Sequence, residues 1–328
     1  MQLVLGLTSG MQLRQIHDLV NIAGKMNIRK VWVGDDITGA HEIFTLVSTI
    51  MLKHKNIVAG IGVTSPLIRN ITTIARASAT LAQIGGDNHF RLGLGIGGLQ
   101  DLRKLGMTAR NPACALRSAS TLLREIWKSE KVTFEADDFK LNHYRSSVNV
   151  DRPISIFFGV RGPRLLNLAG EIADGIVLSG PTTYLRKAIT LVRSSIERSR
   201  RSVEDFTFVI WVPTMLVRQR SDLGLVKKIV AYVLSDTPKS VLEMAQLDLG
   251  KVEMVKKAGE RHGIAYAARL VDKALLHESA VQGDATQVCE SLKGFERMGV
   301  QEVVFGPPYG SKPRVALTEV ANAWRDYA

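Results

Sequence analysis

The feature of this 328-residue chain that most limits its fold is an alternation: short apolar runs of strand character, each followed by apolar residues at helical spacing. Leu3 to Leu7 is the first run, and Leu13, Ile16, Leu19, Val20 and Ala23 then share one helical face. Lys30 to Val33 precedes a helix over Ile43 to Leu52, Asn56 to Ile61 one over Arg69 to Leu81, and Phe90 to Leu94 one over Ala115 to Trp127. The beat resumes with Ile154 to Phe158 before Pro163 to Ala169, Gly175 to Leu178 before Tyr184 to Arg198, a strand over Thr207 to Leu216, and Glu302 to Phe305 before Val315 to Tyr327. Strands joined through helices run parallel, and a parallel sheet is covered on its faces by those helices. Eight such units favour closure into a TIM (β/α)8 barrel, an α/β fold, over an open doubly wound sheet.

Two stretches interrupt the alternation. Residues 131–149 carry two short β-rich runs around Glu135 to Asp138 and read as a hairpin, while residues 221–280 are rich in helical spacing and fall before the last strand. No repeat, low-complexity tract or flexible linker divides the chain, so residues 1–328 read as one elaborated domain. No apolar stretch reaches the roughly 18 to 20 residues that a membrane helix needs, and the first twenty residues alternate like a strand instead of resembling a signal peptide. A soluble cytoplasmic protein is the expectation. Cys114 and Cys289 match no metal or redox spacing and read as buried small hydrophobes. The net charge of +12, from 43 basic and 31 acidic residues, would speed capture of an anionic ligand. Nucleic acid is a weaker reading, because no aromatic residues interleave with the basic clusters at Arg198 to Arg201 and Lys251 to Arg261.

Function is expected where strands end in glycine. The third strand closes in Gly60-Ile61-Gly62-Val63-Thr64-Ser65-Pro66, the fourth in Gly93-Leu94-Gly95-Ile96-Gly97-Gly98, and the fifth in Gly159-Val160-Arg161-Gly162-Pro163. Strand ends without side chains bring backbone close to something flat, and three together suggest one ligand surface. The fourth-strand cluster satisfies G-x-G-x-x-G, but no clean helix starts between Gln100 and Pro112 and no acidic residue follows about twenty positions on, which argues against a dinucleotide site. The fifth-strand cluster enters a helix through a proline, and unpaired amides at such a start favour an anion, with Arg161 able to add charge.

These motifs, with Trp32-Val33-Gly34-Asp35-Asp36, Arg69, Ala169 to Gly175 and Val303 to Gly310, resemble the bacterial luciferase-like superfamily. Within it the chain is most similar to the deazaflavin-dependent methylenetetrahydromethanopterin reductases of archaea, a likeness that runs through Ile229 to Val233 and Ser279 to Asp284 in the late insertion. The resemblance implies a homo-oligomer, a dimer or larger, that transfers hydride between coenzyme F420 and a small organic acceptor, a one-carbon pterin first. FMN is the alternative cofactor, in a monooxygenase, and a non-catalytic paralogue is a third reading.

By resemblance the ring of the cofactor lies against a non-prolyl cis peptide between Gly62 and Val63, beside Thr64, with Gly95, Ile96 and Gly97 under its approach. The loop Gly159, Val160, Arg161 and Gly162 takes its phosphate arm, with Ser179 and Gly180 nearby. Asp35 contacts the deazaflavin, and Asp36 stands where the family carries a histidine; adjacent carboxylates on a strand point oppositely, so one of them caps or faces water. His41 and Glu42 are candidates for the mouth or for the surface. The reductases place a glutamate at the end of the first strand and an aspartate in the fourth-strand loop, where this chain has Thr8 and Gly98. Either Asp101 or another group supplies the acid, or the substrate differs, because a positioned acid–base group is worth about 10²- to 10⁴-fold.

Overall fold

The computed structural model describes residues 1–37, 39–86, 90–128, 130–148 and 150–327. Eight parallel strands close into a barrel in chain order: β1 (Gln2–Thr8), β2 (Lys30–Gly34), β3 (Val58–Thr64), β4 (Phe90–Leu94), β5 (Ser155–Phe158), β6 (Gly175–Leu178), β7 (Thr207–Ile210) and β8 (Glu302–Phe305). Closure is made by β1 on β8, where Gln2 to Leu5 register with Glu302 to Phe305. The outer faces of the strands bury against amphipathic helices, among them Leu13–Lys25, which buries Ile16, Leu19, Val20 and Ala23. Side-chain caps start several of these helices: Asn70 accepts from the Thr72 amide, and Asn111 from that of Cys114, whose side chain at this helix start is exposed, so that of the two cysteines only Cys289 is a buried hydrophobe.

Inside the barrel, Val4, Trp32, Phe157, Val177, Val209 and Val304 form one apolar layer, with Trp32 and Phe157 edge to face at 5.0 Å. Its lower end is closed by an ion cluster. Glu302, 1% exposed, accepts from Lys30 at 2.5 Å, Arg91 at 2.7 Å and Trp32 Nε1 at 3.1 Å. Burial opposes the charge on Glu302, but Arg91 and Lys30 outweigh it and hold the carboxyl below its usual range.

Three expectations change. The seventh strand does not run from Thr207 to Leu216: it stops at Ile210, and Thr214–Leu216 instead joins Val281–Gly283 and Pro308–Tyr309 in a small parallel sheet. The third strand begins at Val58 and continues through the glycines to Thr64, with a register shift against β4 between Ile61 and Thr64. A short helix, Leu99–Lys104, does start after Gly98, ending near Gly106 at φ +68°.

The hairpin is present as Val132–Ala136 against Phe139–Tyr144; Asn149, the last residue of that expected insertion, lies outside the described residues. The late insertion begins with the helix Arg220–Ser235, and its elements share an apolar cluster that includes Val226, Val230, Val255 and Val271. Among the described residues no helix is long and apolar enough to cross a membrane.

Candidate active site

The C-terminal strand ends open onto a cavity of about 400 Å³. Its lining comes from nearly every side of the rim: Thr8 at the end of β1, Gly34 on β2, Gly62 and Val63 on β3, Gly159, Val160 and Arg161 after β5, Ser179 after β6, Trp211 and Pro213 after β7, and Pro307 after β8. The helix Arg220–Ser235 contributes Ile229, Tyr232 and Val233, and Asp236 at its C-cap completes the set. Those four positions fall at i, i+3, i+4 and i+7, one face of a helix. The cavity therefore lies between the barrel rim and the insertion.

The glycines at the strand ends make room mainly for the protein's own side chains. A Cβ on Gly60 would meet the Trp32 ring at 2.5 Å, and one on Gly62 would meet Trp32 at 3.0 Å and Trp211 at 3.3 Å. At Gly93 a Cβ would lie 2.2 Å from the Ile61 carbonyl and 2.6 Å from Val63 Cγ1; at Gly95, 2.6 Å from Val63 Cγ2; at Gly159, 2.6 Å from Val63 Cγ1. The bulged end of β3 thus seats the Val63 side chain in a socket cut from β4 and β5. The Gly62–Val63 peptide is cis, as is Pro307–Pro308.

Trp211 repeats this on a larger scale. Its indole sits across the mouth, 3.0 Å from the Cβ that Gly6 would carry, 3.6 Å from that of Gly34, 3.3 Å from that of Gly62, and 2.7 Å, at Nε1, from that of Gly306. Four strands, β1, β2, β3 and the end of β8, lack a side chain where the indole lies. Sequence reasoning missed this residue because it placed Trp211 inside a long strand; the recurring strand-end glycines were the available signal.

Of the expected site residues, Thr8, Gly62, Val63, Gly159, Val160, Arg161 and Ser179 are brought together around the cavity. Others are not. Asp35 was expected to touch the cofactor, but its side chain is 1% exposed and bound at 2.6 Å by both Thr64 Oγ1 and Arg69 Nη1. That bond also occupies Thr64. Asp36, an exposed residue, is held at its amide by Ser9 Oγ. Gly95, Ile96 and Gly97 stand behind Val63 and Ser65: Ile96 is buried, its carbonyl accepting from Ser65 Oγ. Glu42 caps the next helix through the Thr45 amide.

Gly162, at φ +88°, turns the chain into the helix Pro163–Ile172, and among the described residues no acceptor takes the amides of Val160 and Arg161. The Arg161 guanidinium makes only long contacts, 3.3 Å to Thr237 Oγ1 and 3.4 Å to Asp236 Oδ2. Beneath it lies Tyr184, fully buried, its hydroxyl without a well-formed hydrogen bond. Burial pushes that phenol up to about 12, against the smaller opposing pull of Arg161 and the Gly162 amide.

Gly98, where the resembled reductases carry an aspartate, has a neighbour in its place. Asp101 Oδ2 stands 2.9 Å from the position of a Cβ at residue 98, and Asp236 Oδ2 stands 3.6 Å from it. Asp101 pairs with Lys104 at 2.9 Å. The Tyr232 phenol nearby is raised by desolvation and then by Asp101 and Asp236. Among the described residues no group of three or more His, Cys, Asp or Glu side chains is placed to hold a metal.

The model of the luciferase-like monooxygenase family matches residues 3–302. A 5,10-methylenetetrahydromethanopterin reductase of Archaeoglobus fulgidus is 23% identical over 317 residues, covering 94% of this chain and 93% of its own. An F420-dependent glucose-6-phosphate dehydrogenase of Kineococcus radiotolerans is 23% identical over 314 residues, 90% of this chain and 87% of its own. Among solved structures, the coenzyme F420-dependent tetrahydromethanopterin reductase of Methanopyrus kandleri superposes with a TM-score of 0.89 at 20% identity, over 100% of this chain and 99% of that one.

Proposed function

Because this chain belongs to the luciferase-like monooxygenase family, we propose that its rim cavity binds coenzyme F420 and serves hydride transfer between that deazaflavin and an organic acceptor, with a methylenetetrahydromethanopterin-like one-carbon pterin as first choice. The observation that carries this reading is that the Val63 shelf and the unpaired amides of Val160 and Arg161 border one cavity. A flat ring fits against the shelf, and an anionic arm fits the loop, where amides at a helix start and a weakly engaged guanidinium favour negative charge. Gly62, Val63, Gly159, Val160, Arg161 and Ser179 would hold the cofactor. When bound, a reduced deazaflavin supplies the hydride; the barrel supplies alignment and exclusion of water.

The acceptor gains a hydride at carbon and a proton at its heteroatom. Thr8 has no acidic proton to give at neutral pH, and Asp101, paired with Lys104 at 2.9 Å, does not border the cavity, so the proton is drawn from solvent. Full-length likeness to reductases and to a sugar-phosphate dehydrogenase supports the reaction class more strongly than the acceptor.

The test is a spectral titration of the purified protein with F420 and with FMN, then turnover with methylenetetrahydromethanopterin under nitrogen and in air. Micromolar F420 binding with oxygen-independent oxidation of the reduced cofactor supports the proposal. Preference for FMN with oxygen uptake would replace it with a monooxygenase, and F420 binding without turnover on pterin or carbonyl acceptors would replace it with a non-catalytic binder.

A further inference from the structure

The cavity has two unlike sides. Gly159, Val160, Arg161 and Ser179, after β5 and β6, form the anion-favouring side, while Thr8 at the end of β1, with Trp211, Pro213 and Pro307 after β7 and β8, forms the other. Resting on the reading above, which gives the first side and the Val63 shelf to the cofactor, the second side is left for the acceptor. What the chain has built there is an indole. Trp211 is partly exposed and borders the cavity, while its edge atoms pack onto Gly6, Gly34, Gly62 and Gly306. A side chain at Gly6 or Gly306 would stand 3.0 Å or less from the ring, so those positions hold the indole in one plane. No acceptor among the described residues takes the Trp211 Nε1–H, which lies over Gly306 beside Pro307. Ile229, Tyr232 and Val233 of the insertion helix border the same space. The result is a space walled largely by aromatic and aliphatic groups, with the Trp211 Nε1–H donor fixed at its edge and the hydroxyl-bearing Thr8 and Tyr232 also on its border.

We propose that Trp211 is the platform on which the hydride acceptor lies: its indole face stacks on a planar conjugated heterocycle, and its Nε1–H donates to a ring nitrogen or carbonyl of that molecule. A fixed aromatic face selects flat, polarisable ligands, and a donor at its edge selects among them by the position of an acceptor atom. A phosphorylated sugar offers neither a flat face nor conjugation, so the platform favours a pterin over the substrate class named for the dehydrogenase relative.

The decisive experiment is binding without cofactor, read through tryptophan emission for contact with the indole and by titration calorimetry for the dissociation constants of all three proteins. Trp32, Trp127 and Trp324 are buried, so a ligand in the cavity acts on Trp211. Wild type, Trp211→Phe and Trp211→Leu are titrated with methylenetetrahydromethanopterin and with glucose 6-phosphate, and F420 affinity is measured separately by absorbance. The pterin is expected to quench wild-type emission and to leave Trp211→Phe unquenched. Its dissociation constant should rise about fivefold in Trp211→Phe, which keeps a face but loses the donor, and about tenfold or more in Trp211→Leu, which loses the face. F420 affinity should move less than about threefold in either variant, and unchanged melting temperatures for Trp211→Phe would exclude a folding defect. The inference is overturned if the wild type fails to bind the pterin or binds glucose 6-phosphate more tightly, if both variants bind the pterin as the wild type does, or if F420 affinity falls in step with pterin affinity. Pterin quenching in a protein that binds no F420 would instead defeat the hydride-transfer reading while the platform stands.

Discussion

Replacing Gly159 by alanine tests whether the strand-end glycines serve the chain or a ligand. A Cβ at residue 159 would lie 2.6 Å from Val63 Cγ1, 2.8 Å from Cγ2 and 3.3 Å from Cβ, all on one β-branched side chain. Valine is stiff at χ1, so the clash cannot be relieved by an easy rotation, and overpacking of this kind costs about 1–3 kcal/mol. With an unfolding entropy of about 2.1 cal/mol/K per residue, a chain of this length loses roughly 1.5 °C of melting temperature per kcal/mol, so Gly159→Ala should melt about 2–4 °C below wild type. Removing the obstructing methyls restores the space: in the double variant Gly159→Ala/Val63→Ala the loss should be about 1 kcal/mol or more smaller than the sum of the two single losses. Gly162→Ala is the control. Its Cβ meets nothing within 4 Å, so its cost comes from φ +88° alone and Val63→Ala cannot relieve it. Scanning calorimetry of the wild type, the three single variants and the two double variants with Val63→Ala reads all of this. Additive losses in the Gly159/Val63 pair, or no loss in Gly159→Ala, would refute the socket.

Asp35→Asn should lower the melting temperature by about 2–5 °C, since it strips a buried carboxylate from Arg69 and Thr64, yet move F420 affinity less than about threefold; a tenfold loss of affinity with normal melting would return Asp35 to the ligand. Glu302→Gln leaves Lys30 and Arg91 facing each other without a counter-charge and should cost about 2–4 kcal/mol, reduced from a fully buried pair because both cations reach solvent; equal stability in denaturant would show the cluster to be dispensable. His17 and His54 stack with ring nitrogens 3.4 Å apart, and burial holds both below the ordinary imidazole value of 6.5, helped by Lys53 at His17 and by the His17 ring at His54. Their neutral forms belong to the fold and the unfolded chain takes up protons first. The stabilisation is therefore full above 6.5 and is lost as pH falls below it. The melting temperature should drop between about pH 7.5 and about pH 5.5, and His54→Asn should flatten that drop; an unchanged slope would refute the assignment.

Part of this was legible in the order of residues alone. Period-two and period-3.6 apolar patterns are local, so eight strands, their helices, the hairpin and the late insertion could be read along the chain, and parallel strands put the candidate site at their C-terminal ends, where the cavity lies. The third- and fifth-strand glycine clusters marked strand ends that border the cavity, while the fourth-strand cluster lies behind Val63. What the glycines accommodate could not be read, because the answer comes from distant residues. Val63 fills the gaps at Gly93, Gly95 and Gly159; Trp211, from the seventh strand's end, lies on glycines from four others. Asp35 looked like a ligand contact until Arg69, 34 positions away, reached its carboxylate. Asp101 fills the space of a side chain at Gly98 because the chain turns there into a short helix. Sequence patterning determined which elements form and in what order; only barrel closure decided which side chains meet across the rim, since a contact depends on distance in space and periodicity records only distance along the chain.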